Sequence, residues 1–170
     1  MPVSEVNHLA PPAPSSDGGV GFGSGFQWSF TGPPAAGSGQ YDFQAVVEHE
    51  ISEVMGRISV LGASVGGVAN SYTPYDLFRY TDIGAQSLVA GANSYFSFDG
   101  GVSSTGNAAD GRAYFNTVSG GDWGDWAGSG LTAADPYVAF ANSGTPYTTG
   151  GVDQRVMDAL GYGSLTSPIA

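Results

Sequence analysis

The densest concentration of chemistry in the sequence is Glu48-His49-Glu50-Ile51-Ser52-Glu53, three carboxylates around one of only two histidines. On a helix, positions four apart share a face, so His49 and Glu53 can hold one metal ion together. Glu50, offset by one residue, is placed to touch a water held by that metal. This is the logic of H-E-x-x-H, in which two His hold zinc and the Glu is the general base. Here Glu53 stands where the second His would be. A carboxylate is an acceptable zinc ligand, and the change favours harder cations. Three carboxylates this close repel one another unless a cation or an arginine neutralises them. Arg57, four residues beyond Glu53, is an available partner, and that pairing is the purely structural reading of the same residues.

Further ligands must come from elsewhere in the chain. Asp76 opens a strand after the bend and is the first choice for a third metal ligand; its bland role is a turn residue or a partner for Arg79. His8, Glu48 and Asp82 are the remaining options. A second constellation is Asp99, Asp122 and Asp125, all in Gly turns. Carboxylates and carbonyls in such loops are how calcium is held, whereas ordinary turn chemistry has Asp bonding its own backbone. Trp123 and Trp126 serve as a core plug or as an exposed platform for a ligand. One His with several carboxylates admits Zn²⁺, Ca²⁺ or Mn²⁺.

The elements that must position these groups follow from the pattern. Residues 42–57 read as the one long helix: Asp42 is a good N-cap. Phe43, Val47, Ile51, Val54 and Ile58 recur at helical spacing, and Gly56 suits the left-handed turn that ends a helix. Residues 152–160 read as a short C-terminal helix closed by Gly161. Phe26–Phe30 alternates like a strand, and 75–150 reads as short β-segments between Gly turns. The candidates there are Leu77–Tyr80, Ser87–Ala90, Ser94–Phe98 and Ala113–Thr117. Residues 1–16, rich in Pro, read as an irregular lead-in. The expectation is a single α+β domain over 1–170, with one long buried metal-site helix packed on short, mainly antiparallel strands.

Composition narrows the partners. Four basic residues, all Arg, against fifteen acidic ones give a net charge of −11. This opposes nucleic-acid binding, which needs a basic patch, and attraction to anionic membranes. An acidic surface suits cations. With no Cys, disulfides, thiolate zinc sites and thiol nucleophiles are excluded. No run of about 18 apolar residues spans a membrane. With only His8 or His49 to serve as base, a serine hydrolase is a third option.

The stretch Glu48-His49-Glu50-Ile51-Ser52-Glu53-Val54-Met55-Gly56-Arg57 resembles the signature of a family of secreted bacterial metalloproteases. These carry an H-E-I-S/T-E-V-M-G-R helix and are distantly related to zincin peptidases. The resemblance continues in Asp76–Tyr80, Tyr95–Gly101, Gly120–Trp126 and Val156–Tyr162, and covers roughly residues 17–162. Set against the metzincin pattern H-E-x-x-H-x-x-G-x-x-H, His49, Glu50 and Gly56 match. Glu53 replaces the second His and Ser59 the third. The resemblance implies a zincin-like fold and an extracellular or periplasmic protein whose signal peptide is not in this chain.

The expected function is then a metal-dependent hydrolase of acyl bonds, acting on a peptide or a small acyl substrate. His49, Glu53 and Asp76 would hold zinc, and Glu50 would serve as general base. The alternatives are an ester or lactone hydrolase using the same site, and a non-catalytic, calcium-stabilised extracellular binding module.

Overall fold

A single aspartate starts the helix on which the candidate site depends. In the computed structural model, which describes residues 18–31, 37 and 39–163, Asp42 is extended and its carboxylate accepts the Ala45 amide at 3.2 Å. That satisfies one of the orphan donors of the first turn. Helix α1 then runs over Phe43–Val54. It ends as the sequence predicts: Gly56 takes φ +109°, its amide bonds to Glu53 O at 2.9 Å, and the Arg57 amide bonds to Ser52 O at 3.0 Å. This paired closure is a Schellman motif. It turns Arg57 back along the helix instead of letting it continue outward.

The expected long buried helix is corrected in both respects. Helix α1 has 12 residues, and of these only Ala45 and Ser52 are buried. The domain covers it mainly from one side, so Ile51 keeps 47 % of its surface exposed. The lead-in expected over 1–16, with His8, lies outside the described residues.

Strands are short, and few. β1 (Trp28–Ser29) pairs parallel with β2 (Tyr41–Asp42), which leads directly into α1. β3 (Arg79–Asp82) is central in a three-stranded antiparallel sheet. It lies between β4 (Ala85–Gln86) and β5 (Tyr95–Phe96), with Arg79 opposite Phe96. The strand expected over Leu77–Tyr80 is displaced: Tyr75–Phe78 forms a 3₁₀ turn and extended pairing begins at Arg79. Ser87–Ala90 is not a strand. Ala113–Thr117 contributes single bridges, Tyr95 to Tyr114 and Phe115 to Trp126, and Trp126 bridges on to Val138. These bridges carry the sheet's hydrogen bonding outward without regular strands.

The core is aromatic. Tyr75, Phe96, Phe115, Trp126 and Tyr137 are buried together with Val152, Val156 and Leu160 from the C-terminal segment. That segment is helix α2 (Gly151–Met157), followed by a wider π-type turn over Asp158–Tyr162. Trp126 is therefore a core plug, which is the commoner use of tryptophan. Among the described residues the fold is mixed α/β, with two α-helices and small sheets. Among the described residues no helix is long and apolar enough to cross a membrane.

Because α1 depends on its N-cap, Asp42→Ala should cost about 1 kcal/mol. In a chain of this size that lowers Tm by about 2–4 °C, readable by calorimetry. An unchanged Tm would show that the cap does not carry the helix.

Candidate metal centre

Helix α1 and one loop bring three ligand-type side chains together. His49 Nε2 lies 3.3 Å from Glu53 Oε1 and 3.4 Å from Asp125 Oδ1. The three ligand atoms all fall within 4.8 Å of one another. The i, i+4 spacing explains the first contact. The second comes from the loop Gly120–Trp126, anchored from below by buried Trp126. In that loop the Asp122 carboxylate accepts the Gly124 amide at 2.5 Å.

The other ring nitrogen fixes the tautomer. His49 Nδ1 is 2.9 Å from the Pro136 carbonyl, and a carbonyl only accepts, so Nδ1 carries the hydrogen. In the neutral ring this leaves the Nε2 lone pair directed at Glu53 and Asp125. A backbone partner of this kind is how metal-ligating histidines are oriented. Tyr137 packs edge-on to the ring, 6.4 Å between centroids.

Arg57 lies behind the centre and is fully buried. Its NH1 donates to Asp125 Oδ1 at 2.7 Å and its Nε to Ser52 Oγ at 2.7 Å. The Ser52 hydroxyl in turn donates to the His49 carbonyl at 2.6 Å. The guanidinium stacks 4.2 Å over the Tyr137 ring. Glu53, the partner expected from the sequence, is more distant at 3.8 Å. The main partner of Arg57 is Asp125.

The charges shift one another's protonation. Burial opposes a charged His49, yet the Glu53 hydrogen bond, the Asp125 charge and the Pro136 carbonyl outweigh burial and Arg57. Its pKa is raised above the ordinary 6.5. Burial works to raise Glu53, but the His49 contact and Arg57 prevail and lower it. Burial pushes Asp125 up, with Arg57 and His49 pulling against it. Asp122 is also raised, chiefly by burial.

The remaining candidates have other placements. Glu50 is half-buried beside His49, and among the described residues its carboxylate takes part in no hydrogen bond or ion pair. Glu48 accepts from Gln44 at 2.9 Å and from Thr149 at 2.6 Å, tying α1 to the approach to α2. Asp76 is not brought into the group. It is fully buried, and its two oxygens accept from Ser59 Oγ at 2.6 Å and from the Thr73 amide at 2.9 Å. Ser59, at the position of the third metzincin His, is thus bound to Asp76.

Nor do Asp99, Asp122 and Asp125 assemble as one calcium cage. Asp99 closes its own loop on Ser97 and Ser103, while Asp125 joins His49. The sequence offered Asp125 as a calcium ligand with Asp99 and Asp122 or as a turn residue, and not as a partner of His49. The Pro136 carbonyl, being backbone, left no side-chain signal at all. A cavity of about 300 Å³ lined by Val47, Ile51, Ser52, Met55, Tyr137 and Met157 lies along α1 and includes none of the three ligand-type side chains.

No protein-family model, no curated protein and no solved structure matches this chain.

The buried ion pair gives a stability test. Arg57→Met leaves Asp125 buried beside Glu53 without its cation and should cost about 3–5 kcal/mol. Adding Asp125→Leu to Arg57→Met should recover much of that loss in denaturant titrations. If the double variant is no more stable than the single one, the pair is not what holds the loop to α1.

Proposed function

We propose that this chain is a metal-dependent hydrolase of acyl bonds, with peptide bonds as the first substrate class and small esters or lactones as the second. The observation that supports it most is the convergence of His49 Nε2, Glu53 and Asp125, with His49 Nδ1 tied to a carbonyl. The donor set fits a small divalent cation. In a tetrahedral zinc site with bonds of about 2.0–2.1 Å, neighbouring ligand atoms stand about 3.3–3.4 Å apart. The His49-to-carboxylate separations are 3.3 and 3.4 Å.

In this reading His49, Glu53 and Asp125 are the ligands, and Asp125 takes the third place expected of Asp76. A bound cation supplies Lewis acidity, polarising an acyl carbonyl and acidifying water. Glu50 then accepts the proton of the attacking water and passes it to the leaving group. Among the described residues its carboxylate has no other hydrogen bond or ion pair to break first. Arg57 orients Asp125 and offsets one of the two ligand charges. Ser52 fixes both Arg57 and the helix carbonyl beside His49. The H-E-I-S-E-V-M-G-R motif supports the same reading, as does the zincin-like role of a helix that carries ligand and base together.

The test is calorimetric titration with Zn²⁺, Mn²⁺ and Ca²⁺, followed by assays on casein and acyl esters. One ion per chain is expected, with affinity lost in His49→Ala and Asp125→Ala. Glu50→Gln should keep the ion and lose turnover by about 10²-fold or more. Hydrolysis unchanged in Glu50→Gln would sink the mechanism. A Ca²⁺-dependent rise in Tm without any cleavage would assign the centre to a calcium-stabilised binding module instead.

A further inference from the structure

A second acidic device lies outside the centre. Asp135 and Asp153 are 2 % and 0 % exposed, and the Oδ2 atoms of both converge on one buried spot, each 3.7 Å from where a Cβ on Gly150 would stand. Asp153, in the first turn of α2, is well supplied with donors. Its Oδ1 accepts the Trp126 indole N–H at 3.0 Å and its Oδ2 the Gly150 amide at 2.6 Å. Asp135 is not: its Oδ1 accepts the Tyr137 amide at 2.8 Å, and its buried Oδ2 has no donor among the described residues.

Two ionised carboxylates converging there would repel, and neither could donate to the other, because both would be acceptors only; a proton on Asp135 Oδ2 supplies the donor that this oxygen otherwise lacks. Neither is in contact with a cation; Arg57 acts on both only through space, being engaged by Asp125 and Ser52. An unpaired buried charge is too costly to persist when the group can take up a proton instead. The donor-rich partner keeps the charge and the donor-poor one takes the proton.

We propose that Asp135 and Asp153 share one proton, carried on Asp135 Oδ2 and donated to the Asp153 carboxylate, as a pH-sensitive fastener between α2 and the loops around Trp126 and Tyr137. The device stands whether or not the centre binds a metal.

Every neighbouring charge is compatible with it. Arg57 stays protonated, since burial, which would lower its pKa, is outweighed by Asp125. Burial raises the hydroxyls of Tyr75 and Tyr137, with Asp153 adding to both, so they stay neutral. Burial, then the Asp153 charge, lifts the Asp135 carboxyl from 3.8 to about 8. The sign follows. Between these values the native chain holds a proton that the unfolded chain has released. Stability from this group is therefore full at low pH and declines as pH rises towards 8.

Infrared spectroscopy and thermal unfolding test this on the full chain. A protonated-carboxylic-acid band is expected at about pH 6.5, where exposed carboxyls are ionised, and it should vanish in Asp135→Asn. The wild-type Tm should fall by about 5–10 °C between roughly pH 5.5 and 8.5. In Asp135→Asn most of that fall should disappear, because the amide reproduces the protonated acid at every pH. His49 also titrates in this range, so the difference between wild type and variant is the readout. Absence of the acid band, or a variant destabilised equally at both pH values, overturns the proposal. A Ca²⁺-dependent rise in Tm that Asp135→Asn abolishes overturns it too, because a cation would then occupy the pair.

Discussion

The buried Arg57–Asp125 ion pair is the interaction on which the rest of this structure depends. A guanidinium with no solvent exposure needs its donors occupied, and Arg57 finds acceptors on α1 through Ser52 and on the 120–126 loop through Asp125. It reaches both only because the helix closes at Gly56. One more helical residue before the closure would rotate the next side chain by about 100° and aim it elsewhere. The local αL conformation of one glycine thus decides where the buried cation that bonds Asp125 sits. Asp125, held on one side by Arg57, presents the same oxygen to His49. Ion pair and candidate ligand set are therefore one arrangement.

The chain has few charges with which to do this, and it buries them selectively. Of its four arginines, Arg57 and Arg79 are fully buried. Each lies against an aromatic ring, Arg57 over Tyr137 at 4.2 Å and Arg79 over Phe115 at 3.8 Å. Stacking suits a planar, weakly hydrated cation better than it would suit lysine. The reason lies in the loops. A domain with so many glycines and such short strands cannot fix its long connections by ladder hydrogen bonds. Side chains do it instead: Asp76 on Thr73 and Ser59, Asp99 on Ser97 and Ser103, Asp122 on Gly124. Much of the net −11 is loop architecture, and a smaller share is available for chemistry.

What could be read from the sequence is what local physics decides. The N-cap at Asp42, the closure at Gly56 and the shared face of His49 and Glu53 depend on neighbours within one turn, and all three are present. The short second helix is local in the same sense. The strands were less legible, because Ser87–Ala90 and Ser94–Phe98 both read as short β-segments between turns and only the second contains a strand, Tyr95–Phe96 paired with β3. The third member of the centre was legible as a candidate cation ligand, but its pairing with His49 was not. Asp76 and Asp125 are both aspartates at turns. Which one faces His49 depends on how the Trp126 loop packs in the core. Asp135 and Asp153 were hidden for the same reason: Asp-Pro reads as a turn, and an aspartate in a first helical turn reads as a cap.

Asp135-Pro136-Tyr137 shows how such a turn can orient a histidine ring far away in sequence. A residue before proline is confined to extended conformations, and proline fixes its own φ. The one torsion still free to aim the Pro136 carbonyl is its own ψ. The Asp135 carboxyl then accepts the Tyr137 amide at 2.8 Å, which fixes the peptide plane that follows. His49 Nδ1 meets a carbonyl that is already aimed, so little ordering entropy remains to be lost when the ring docks. The tautomer of His49, and with it the direction of the Nε2 lone pair, is thus inherited from a dipeptide more than eighty residues away. Asp135 can hold that dipeptide only while it is itself accommodated in the interior beside Asp153. The orientation of the ring and the protonation of a buried acid on the far side of Pro136 are two ends of one short chain of bonds.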